Sequence, residues 1–318
     1  MLRLALAGLG AILAAVVLAW VFLGSATIPK ETSFTIPAGA SVASVAEKLE
    51  AEGLISSASG FVLQARIFGS DTPIQAGEFL LTPDMSQGDI LAAFQSGDVI
   101  RRFVTIPEGM PSILVWERLM AEELLTGEVD VPPEGSILPD TYAFERGQSR
   151  KALVEQMQAA MDKALAEEWG KRAPGIAVDT MRDALTLASI VEKETGKPEE
   201  RRMVAGLYSN RVRTGMKLQA DPTIIYPITK GKPLGRRIKQ SEISAVNGYN
   251  TYTRTGLPEG PITNPGRASI AAVLNPEKTA ALFMVADGTG GHWFASTLAE
   301  HNANVAKWYA IRRQRGEM

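Results

Sequence analysis

The sequence contains no cysteine and only two histidines, His292 and His301. Disulfides and thiolate metal sites are therefore excluded, and two histidines are too few for a histidine-rich metal centre. The lack of cysteine leaves the cellular compartment open, since exported proteins can also lack it. With 33 Lys and Arg against 35 Asp and Glu, the net charge of −2 gives no general attraction to nucleic acid. We expect no metal, no cofactor and no nucleic-acid partner.

A long apolar run is present at the N-terminus. Every residue from Leu4 to Leu23 is apolar or glycine, a length that matches a hydrocarbon core of roughly 30 Å. Arg3 precedes the run and no equal positive cluster follows closely, so the positive-inside rule leaves the N-terminus in the cytoplasm. A cleaved signal peptide, with Gly24 and Ala26 at the cleavage site, is the alternative, although signal-peptide apolar regions are usually shorter. We predict an uncleaved anchor over residues 1–24, with the body of the protein outside the cytoplasm.

The remaining chain predicts an α+β fold in two parts. In residues 32–98, strand, helix, helix and strand patterns follow one another, and Ser41 and Ser86 stand at helix starts. In residues 100–318, helical patterns alternate with short strands, and residues 218–266 are rich in Pro, Gly and Asn with little periodicity. Long irregular segments in a compact domain are usually functional. The fold class predicted is an N-terminal transmembrane helix, a small α+β module over 32–98 and a mixed α+β catalytic domain over 100–318.

The predicted helix over residues 179–195 carries two acids of interest. In helical projection, Glu192 falls in the apolar arc beside Ala188, and Glu194 falls near Leu187. Apolar surroundings disfavour the charged form of a carboxyl group and raise its pKa. Such a group can hold a proton at neutral pH and act as a general acid on a leaving sugar oxygen. The alternative is that both glutamates are ordinary last-turn acids paired with nearby basic residues.

Polar and aromatic residues accumulate in the irregular stretch. Aromatic rings stack on the apolar faces of sugars, and amides hydrogen-bond to sugar hydroxyls. A structural role is open for any one of them, but their density favours a sugar-binding surface. The candidates are Gln219, Asp221, Thr223, Tyr226, Tyr249, Asn250, Thr251, Tyr252 and Asn264.

Two other patterns could suggest a phosphate-binding loop and a nucleic-acid-binding segment, but neither meets the requirements. The glycine-rich turn 287–291 is not followed by the Lys-Ser/Thr of a phosphate loop, so we predict a hairpin turn. The basic run over residues 230–239 lacks interleaved aromatics, which indicates a solvated loop. His292 adjoins Trp293, which favours a structural or substrate-contact role.

Several sequence segments, which follow one another in a fixed order, resemble those of a known family. They are Leu187–Thr195, Leu218–Thr223, Tyr249–Tyr252, Gly256–Gly266 and Val285–His292. Residues 100–318 closely resemble the endolytic murein transglycosylase family, also called MltG or YceG-like. The apolar run and the first module, which resembles a LysM module, also fit the family's layout. A generic α+β spacer is the alternative for that module.

The resemblance implies an activity and its acid. Family members cleave the bond between N-acetylmuramic acid (MurNAc) and N-acetylglucosamine (GlcNAc) in nascent glycan strands without water. The C6 hydroxyl of MurNAc attacks its own anomeric carbon and leaves a 1,6-anhydro end, which ends strand elongation. The family's acid maps onto Glu194, and Glu192 stays as the reserve candidate and is counted with the substrate-binding residues. Implied partners are peptidoglycan strands, the cytoplasmic membrane and peptidoglycan synthases or division proteins.

Two other functions remain open at this point. One is a non-catalytic scaffold that binds peptidoglycan through the LysM-like module. The other is a hydrolytic muramidase that uses Glu194 together with Asp221 as a second carboxylate. Before Pro139, where relatives commonly carry aromatic residues, this chain has Ser136, Ile137 and Leu138. Sugar stacking at that edge is then either weaker or supplied by another residue, for example Tyr142.

Overall fold

The computed structural model describes residues 25–317, which divide into two compact units. Unit 1 comprises residues 25–102 together with Ala143–Gly147, and unit 2 comprises Phe103–Tyr142 together with residues 148–317. The predicted anchor over residues 1–24 lies outside the described residues. Between residues 25 and 317, no helix has the length and apolar character needed to span a membrane.

Unit 1 contains an antiparallel strand pair with helices between and after the strands. Phe34 of the first strand stands opposite Phe79 of the second. The elements are β1 (Thr32–Ile36), α1 (Val42–Ala51), α2 (Ala58–Phe68), β2 (Gly77–Leu81) and α3 (Gln87–Ser96).

The helices of unit 1 begin where their capping residues predict. Ser41 caps α1, and Ser86 caps α3 by accepting a hydrogen bond from the backbone of Asp89 at 3.2 Å. These bonds satisfy backbone N–H groups that lack a partner in the first helical turn. The apolar faces then close over a core in which the rings of Phe79 and Phe94 lie 4.9 Å apart, edge to face.

A buried carboxylate lies at one edge of this unit. Glu78 on β2 is 2% exposed and pairs with Arg102 at 2.6 Å and with Arg146 at 3.0 Å. Burial raises the pKa of Glu78, but the hydrogen bonds from the two arginines outweigh it, and the net pKa lies below its usual value. The charge is therefore retained inside the unit by its two partners.

Unit 2 is mainly helical. Two short strands, Arg102–Thr105 and Thr141–Phe144, form a two-stranded sheet. From Arg102 onwards, the elements of the chain are β3 (Arg102–Thr105), α4 (Ser112–Met120), β4 (Thr141–Phe144), α5 (Arg150–Gly170), α6 (Met181–Glu194), α7 (Arg201–Arg213), α8 (Pro222–Thr229), α9 (Gln240–Ile243), α10 (Arg267–Leu274), β5 (Phe283–Ala286), β6 (His292–Ala295) and α11 (Leu298–Gln314).

Helix α6 runs through the core of unit 2. It packs against α5, α7, α8 and α10. Leu187, Ala188, Ile190 and Val191 have no exposed surface, so the middle of the helix is buried on every side. The middle of the helix is therefore held by the elements packed around it. Its last residue, Glu194, consequently lies at the edge of this buried core.

The mixed α+β class predicted from the sequence is confirmed, as is the hairpin: β5 and β6 pair antiparallel across the glycine-rich turn. The expectation of an irregular stretch over 218–266 was wrong in part, because α8 and α9 lie within it. Pro222 occupies the first position of α8, where the missing N–H removes no helical bond. Pro227 inside the helix obscures the pattern. The LysM-like character of residues 32–98 and the boundaries 32–98 and 100–318 stay predictions.

Candidate active site

The site is centred on the C-terminal end of α6. Thr180 caps the start of the helix by accepting a hydrogen bond from the backbone of Asp183 at 3.0 Å. At the other end, Thr195 takes an extended conformation (φ −139°, ψ 131°) and ends the helix. Glu194 therefore lies in the last helical turn, where the helix dipole disfavours negative charge.

Glu194 is a half-buried carboxyl group between charged and aromatic neighbours. Burial raises the pKa of Glu194 to about 7, and the negative charge of Asp221 acts in the same direction. A hydrogen bond from Tyr208 and the positive charge of Arg211 lower that pKa by less. A large fraction of Glu194 is thus protonated at neutral pH, as a general acid requires.

Arg211 is a fixed cation behind this carboxyl group. The guanidinium donates from Nε to the carbonyl of Leu282 at 2.7 Å and from Nη1 to the carbonyl of Leu218 at 2.5 Å. Only 8% of the residue is exposed. Because its hydrogen bonds go to backbone carbonyls, its charge stays available to stabilise Glu194 when the proton leaves.

The segment after α7 is held by two buried threonines. The hydroxyls of Thr223 and Thr251 lie 2.8 Å apart, and the Thr251 hydroxyl also accepts a bond from the backbone of Ala220 at 3.1 Å. Between the buried Leu218 and Ala220, Gln219 is exposed and has a left-handed φ of 51°. A left-handed conformation is uncommon for a residue other than glycine and is often found at functional sites.

Asp221 and Tyr252 complete the group around Glu194. The Tyr252 hydroxyl donates to Oδ1 of Asp221 at 2.6 Å. Burial, followed by the hydrogen bond to Asp221, raises the pKa of Tyr252, and the charge of Glu194 adds to this shift. Three of the residues predicted from sequence therefore lie together: Glu194, Asp221 and Tyr252.

Two predicted asparagines have no exposed surface. Asn250 donates from Nδ2 to the carbonyl of Ala245 at 2.6 Å. Asn264 accepts from the backbone of Ile137 at 3.0 Å and donates to the carbonyl of Met110 at 2.9 Å. Like Thr223 and Thr251, these side chains are committed to protein atoms. They hold the loops around the site, and their predicted contact with substrate stays a prediction.

Tyr226 and Tyr249 form an aromatic pair whose ring centroids lie 4.8 Å apart. Tyr226 is also hydrogen-bonded to Glu134, a residue that the sequence did not single out. Burial raises the pKa of Glu134 to about 7, against hydrogen bonds from Ser112 that lower it. The backbone N–H of Ser112 donates to Glu134 at 2.9 Å, which ties this carboxyl group to the start of α4.

Glu192, the reserve candidate, has a different environment from Glu194. Its Oε2 accepts hydrogen bonds from the backbone of Gly266 at 3.0 Å and from the hydroxyl of Ser269 at 2.6 Å. Gly266 is the N-cap of α10, so this carboxyl group caps a neighbouring helix at its positive end. The geometry gives Glu192 a structural function and leaves Glu194 as the better-placed acid.

The turn after α6 is joined to the β5–β6 hairpin through Glu200, also missed from sequence. One Glu200 oxygen accepts the backbone N–H of His292 at 2.9 Å, and the other lies 2.8 Å from His292 Nδ1. The hydroxyl of Thr195, next to Glu194, donates to Glu200 at 3.4 Å. A Cβ at Gly291 would lie 2.2 Å from Glu200, so the close approach requires glycine.

Residue spacing gave no signal for Glu134 or Glu200, since Ser112 and Tyr226 around Glu134 and His292 beside Glu200 come from distant parts of the chain. Among the described residues, no three or more His, Asp or Glu side chains are grouped so that they could hold a metal ion. The chemistry available is proton transfer by a carboxyl group, supported by tyrosine hydroxyls and a buried arginine.

Comparison with known proteins gives a consistent set of relatives. Residues 34–307 match the model of the YceG-like family. The endolytic murein transglycosylase of Streptococcus pneumoniae serotype 2 is 29% identical over 87% of this chain, and that of Bacillus subtilis (strain 168) is 26% identical over 89%. The chain spans 58% of the length of the pneumococcal relative and 86% of the Bacillus one. A crystal structure of a yceG-like protein from Listeria monocytogenes is 28% identical, with a TM-score of 0.53 over 86% of this chain and 99% of that one.

Proposed function

Because the chain belongs to the YceG-like family, we propose that it is an endolytic peptidoglycan lytic transglycosylase. It cleaves MurNAc–GlcNAc bonds in nascent glycan strands and leaves 1,6-anhydro-MurNAc ends, which terminates strand elongation. The names of the pneumococcal and Bacillus relatives support this activity. The observation that carries it is the half-buried Glu194 carboxyl, with its pKa raised to about 7 beside Asp221 and Tyr208.

The proposed reaction needs one acid. Protonated Glu194 donates its proton to the oxygen that leaves with GlcNAc, and the bond from that oxygen to the MurNAc anomeric carbon breaks. The C6 hydroxyl oxygen of the same MurNAc forms the new bond to that carbon, and its proton passes to the Glu194 carboxylate. The acid is thereby restored, and no water is consumed.

A single acid is sufficient because the nucleophile belongs to the substrate. Hydrolytic glycosidases usually use two carboxylates, the second as nucleophile or as base for water. An intramolecular hydroxyl already held near the reacting carbon removes much of that requirement.

The surrounding residues have supporting roles in this proposal. Positive charge develops on the sugar ring as the bond breaks, and Asp221, oriented by the Tyr252 hydroxyl, offsets it. Arg211 stabilises the Glu194 carboxylate at the moment the proton has left. The exposed Gln219 and the ring of Tyr249, which the largely buried Tyr226 supports, contact the sugars on either side of the scissile bond.

The setting of the enzyme is proposed from its sequence. The apolar run from Leu4 to Leu23 anchors the chain in the cytoplasmic membrane, with residues 100–318 as the catalytic domain outside. Residues 32–98 act as a LysM-like module that binds the same glycan strands. Peptidoglycan synthases or division proteins are the proposed protein partners.

The test is mass spectrometry of the products formed from uncrosslinked nascent peptidoglycan, with Glu194→Gln run in parallel. We expect new ends that are one water lighter than hydrolytic ends, and none with the variant. Ordinary reducing ends would instead make the protein a muramidase in which Asp221 is the second carboxylate. No cleavage by the wild-type chain would favour the non-catalytic scaffold.

A further inference from the structure

A cavity of about 520 Å³ lies at the C-terminal end of α6, and all of its lining residues belong to unit 2. Two of its lining residues, Lys193 and Pro222, are the chain neighbours of Glu194 and Asp221. Successive side chains of a helix point about 100° apart, so the cavity lies to one side of the catalytic carboxyl group. The other lining residues are Pro107, Glu108, Gly109, Met110, Pro111, Leu114, Ile225, Gly231, Lys232, Pro233, Leu234 and Ile262.

The walls of the cavity are mostly aliphatic and are held close together. Leu114 comes from α4 and Ile225 from α8, and proline-rich loops close the remaining sides. A Cβ at Gly231 would lie 2.7 Å from the ring of Pro111, and its φ of 83° is left-handed. The two loops can therefore meet only with glycine at this position. Such walls suit small apolar side chains better than bare sugar hydroxyls.

The charge at the rim is positive. Glu108 is paired with Arg201 at 3.3 Å, and Lys232 is paired with Glu117. Lys193 is exposed, and within residues 25–317 its ammonium group donates to the carbonyl of Gly109 at 3.3 Å and forms no ion pair. An anionic group entering the cavity would therefore meet Lys193, an exposed cation that forms no ion pair among the described residues.

We propose that this cavity binds the peptide stem carried by the MurNAc residue at the cleavage site. The inference rests on the proposed function. The stem is a short peptide that branches from the same sugar ring whose anomeric carbon reacts, so it must leave the site beside Glu194. It combines methyl side chains, which fit the aliphatic walls, with carboxylates, which Lys193 attracts. The substrate is consequently stem-bearing glycan rather than the bare polysaccharide.

The test compares kcat/KM for uncrosslinked strands with intact stems and for the same strands after an amidase has removed the stems. We expect the full-length wild-type protein to cleave stem-bearing strands at least tenfold faster. Lys193→Gln should reduce this ratio about threefold or more. Leu234→Glu, which adds a repelling carboxylate to a partly exposed wall, should reduce it further. Lys217→Gln, an exposed lysine outside the cavity, is the matched control and should keep the wild-type ratio.

Equal rates on the two substrates would overturn the stem site while leaving the proposed function intact. A binding measurement tests the stem site separately from the proposed catalytic function. Glu194→Gln protein should bind a stem-bearing MurNAc–GlcNAc fragment at least tenfold more tightly than the stemless fragment in calorimetry, even if no cleavage is ever seen. Equal affinity for both fragments would also overturn the proposal. So would displacement of the stem-bearing fragment by an isoprenyl phosphate, because the cavity would then be a site for a lipid chain and not for the stem.

Discussion

Replacing Glu194 by glutamine should remove activity and at the same time stabilise the protein at alkaline pH. Burial raises the pKa of Glu194 from 4.5 to about 7. Because the pKa of Glu194 is higher in the folded state than in the unfolded state, ionisation of this group lowers the free energy of unfolding. This penalty is absent at low pH, where the carboxyl group is protonated in both states. The penalty grows as the pH rises from 4.5 towards 7 and stays constant above that. At 1.36 kcal/mol per pKa unit, the full penalty is about 3 kcal/mol.

Glutamine keeps the shape of the side chain and its acceptor for Tyr208 but never ionises. We therefore expect Glu194→Gln to raise the free energy of unfolding by about 3 kcal/mol at pH 8 and to change it little near pH 4.5. Urea denaturation followed by tryptophan fluorescence is a suitable assay, because Trp116, Trp169, Trp293 and Trp308 all belong to unit 2.

Glu192→Gln is the matched control, two residues away on the same helix. Its carboxylate accepts bonds from Gly266 and Ser269 at the start of α10, so the substitution should destabilise unit 2 by about 1–2 kcal/mol at pH 8. Equal stability of Glu194→Gln and wild type at pH 8 would refute the argument that burial keeps Glu194 protonated.

Three further predictions concern other residues. Tyr208→Phe removes a hydrogen bond that lowers the pKa of Glu194, so the alkaline limb of the pH profile of kcat/KM should move up by about one unit; an unmoved limb would contradict this. Gln219→Gly relieves a left-handed φ of 51° and should stabilise the protein by about 1 kcal/mol in urea denaturation, whereas Gln219→Ala should not; loss of kcat/KM in both variants would show that the amide contacts substrate. Glu78→Ala deprives Arg102 of its carboxylate and should destabilise unit 1 by about 1–3 kcal/mol near pH 7, measured by amide hydrogen exchange of β2. Since the pKa of Glu78 is lowered, this difference should fade as the pH drops below 4.5, and a pH-independent difference would argue against an ionic origin.

Local signals in the sequence placed most helices and strands. Ser41 and Ser86 stand where helices begin, because a side-chain oxygen at that position bonds to backbone N–H groups a few residues on. Helix α8 was missed because Pro227 lies inside it, and short-range patterns treat an internal proline as a helix breaker.

The sequence could not separate the two candidate acids by pattern alone. Glu192 and Glu194 lie on one helical turn, and both fall near apolar positions in projection. The two acids differ in their neighbours. Glu192 contacts the start of α10, whereas Glu194 lies beside Tyr208 and Asp221. These neighbours come from other elements, so only the packing of α6 among them gives the two carboxyl groups different environments.

By itself the sequence determined the α+β class, the order of most elements and the family phrases that point to Glu194. The tertiary structure decided the electrostatic environment of each carboxyl group, the burial of Asn250 and Asn264, the partners of Glu134 and Glu200 and the cavity beside α6. Helix caps and apolar periodicity act over a few residues and can be read along the chain. A pKa or a cavity depends on groups that are distant in sequence, and folding alone brings them within a few ångströms of one another.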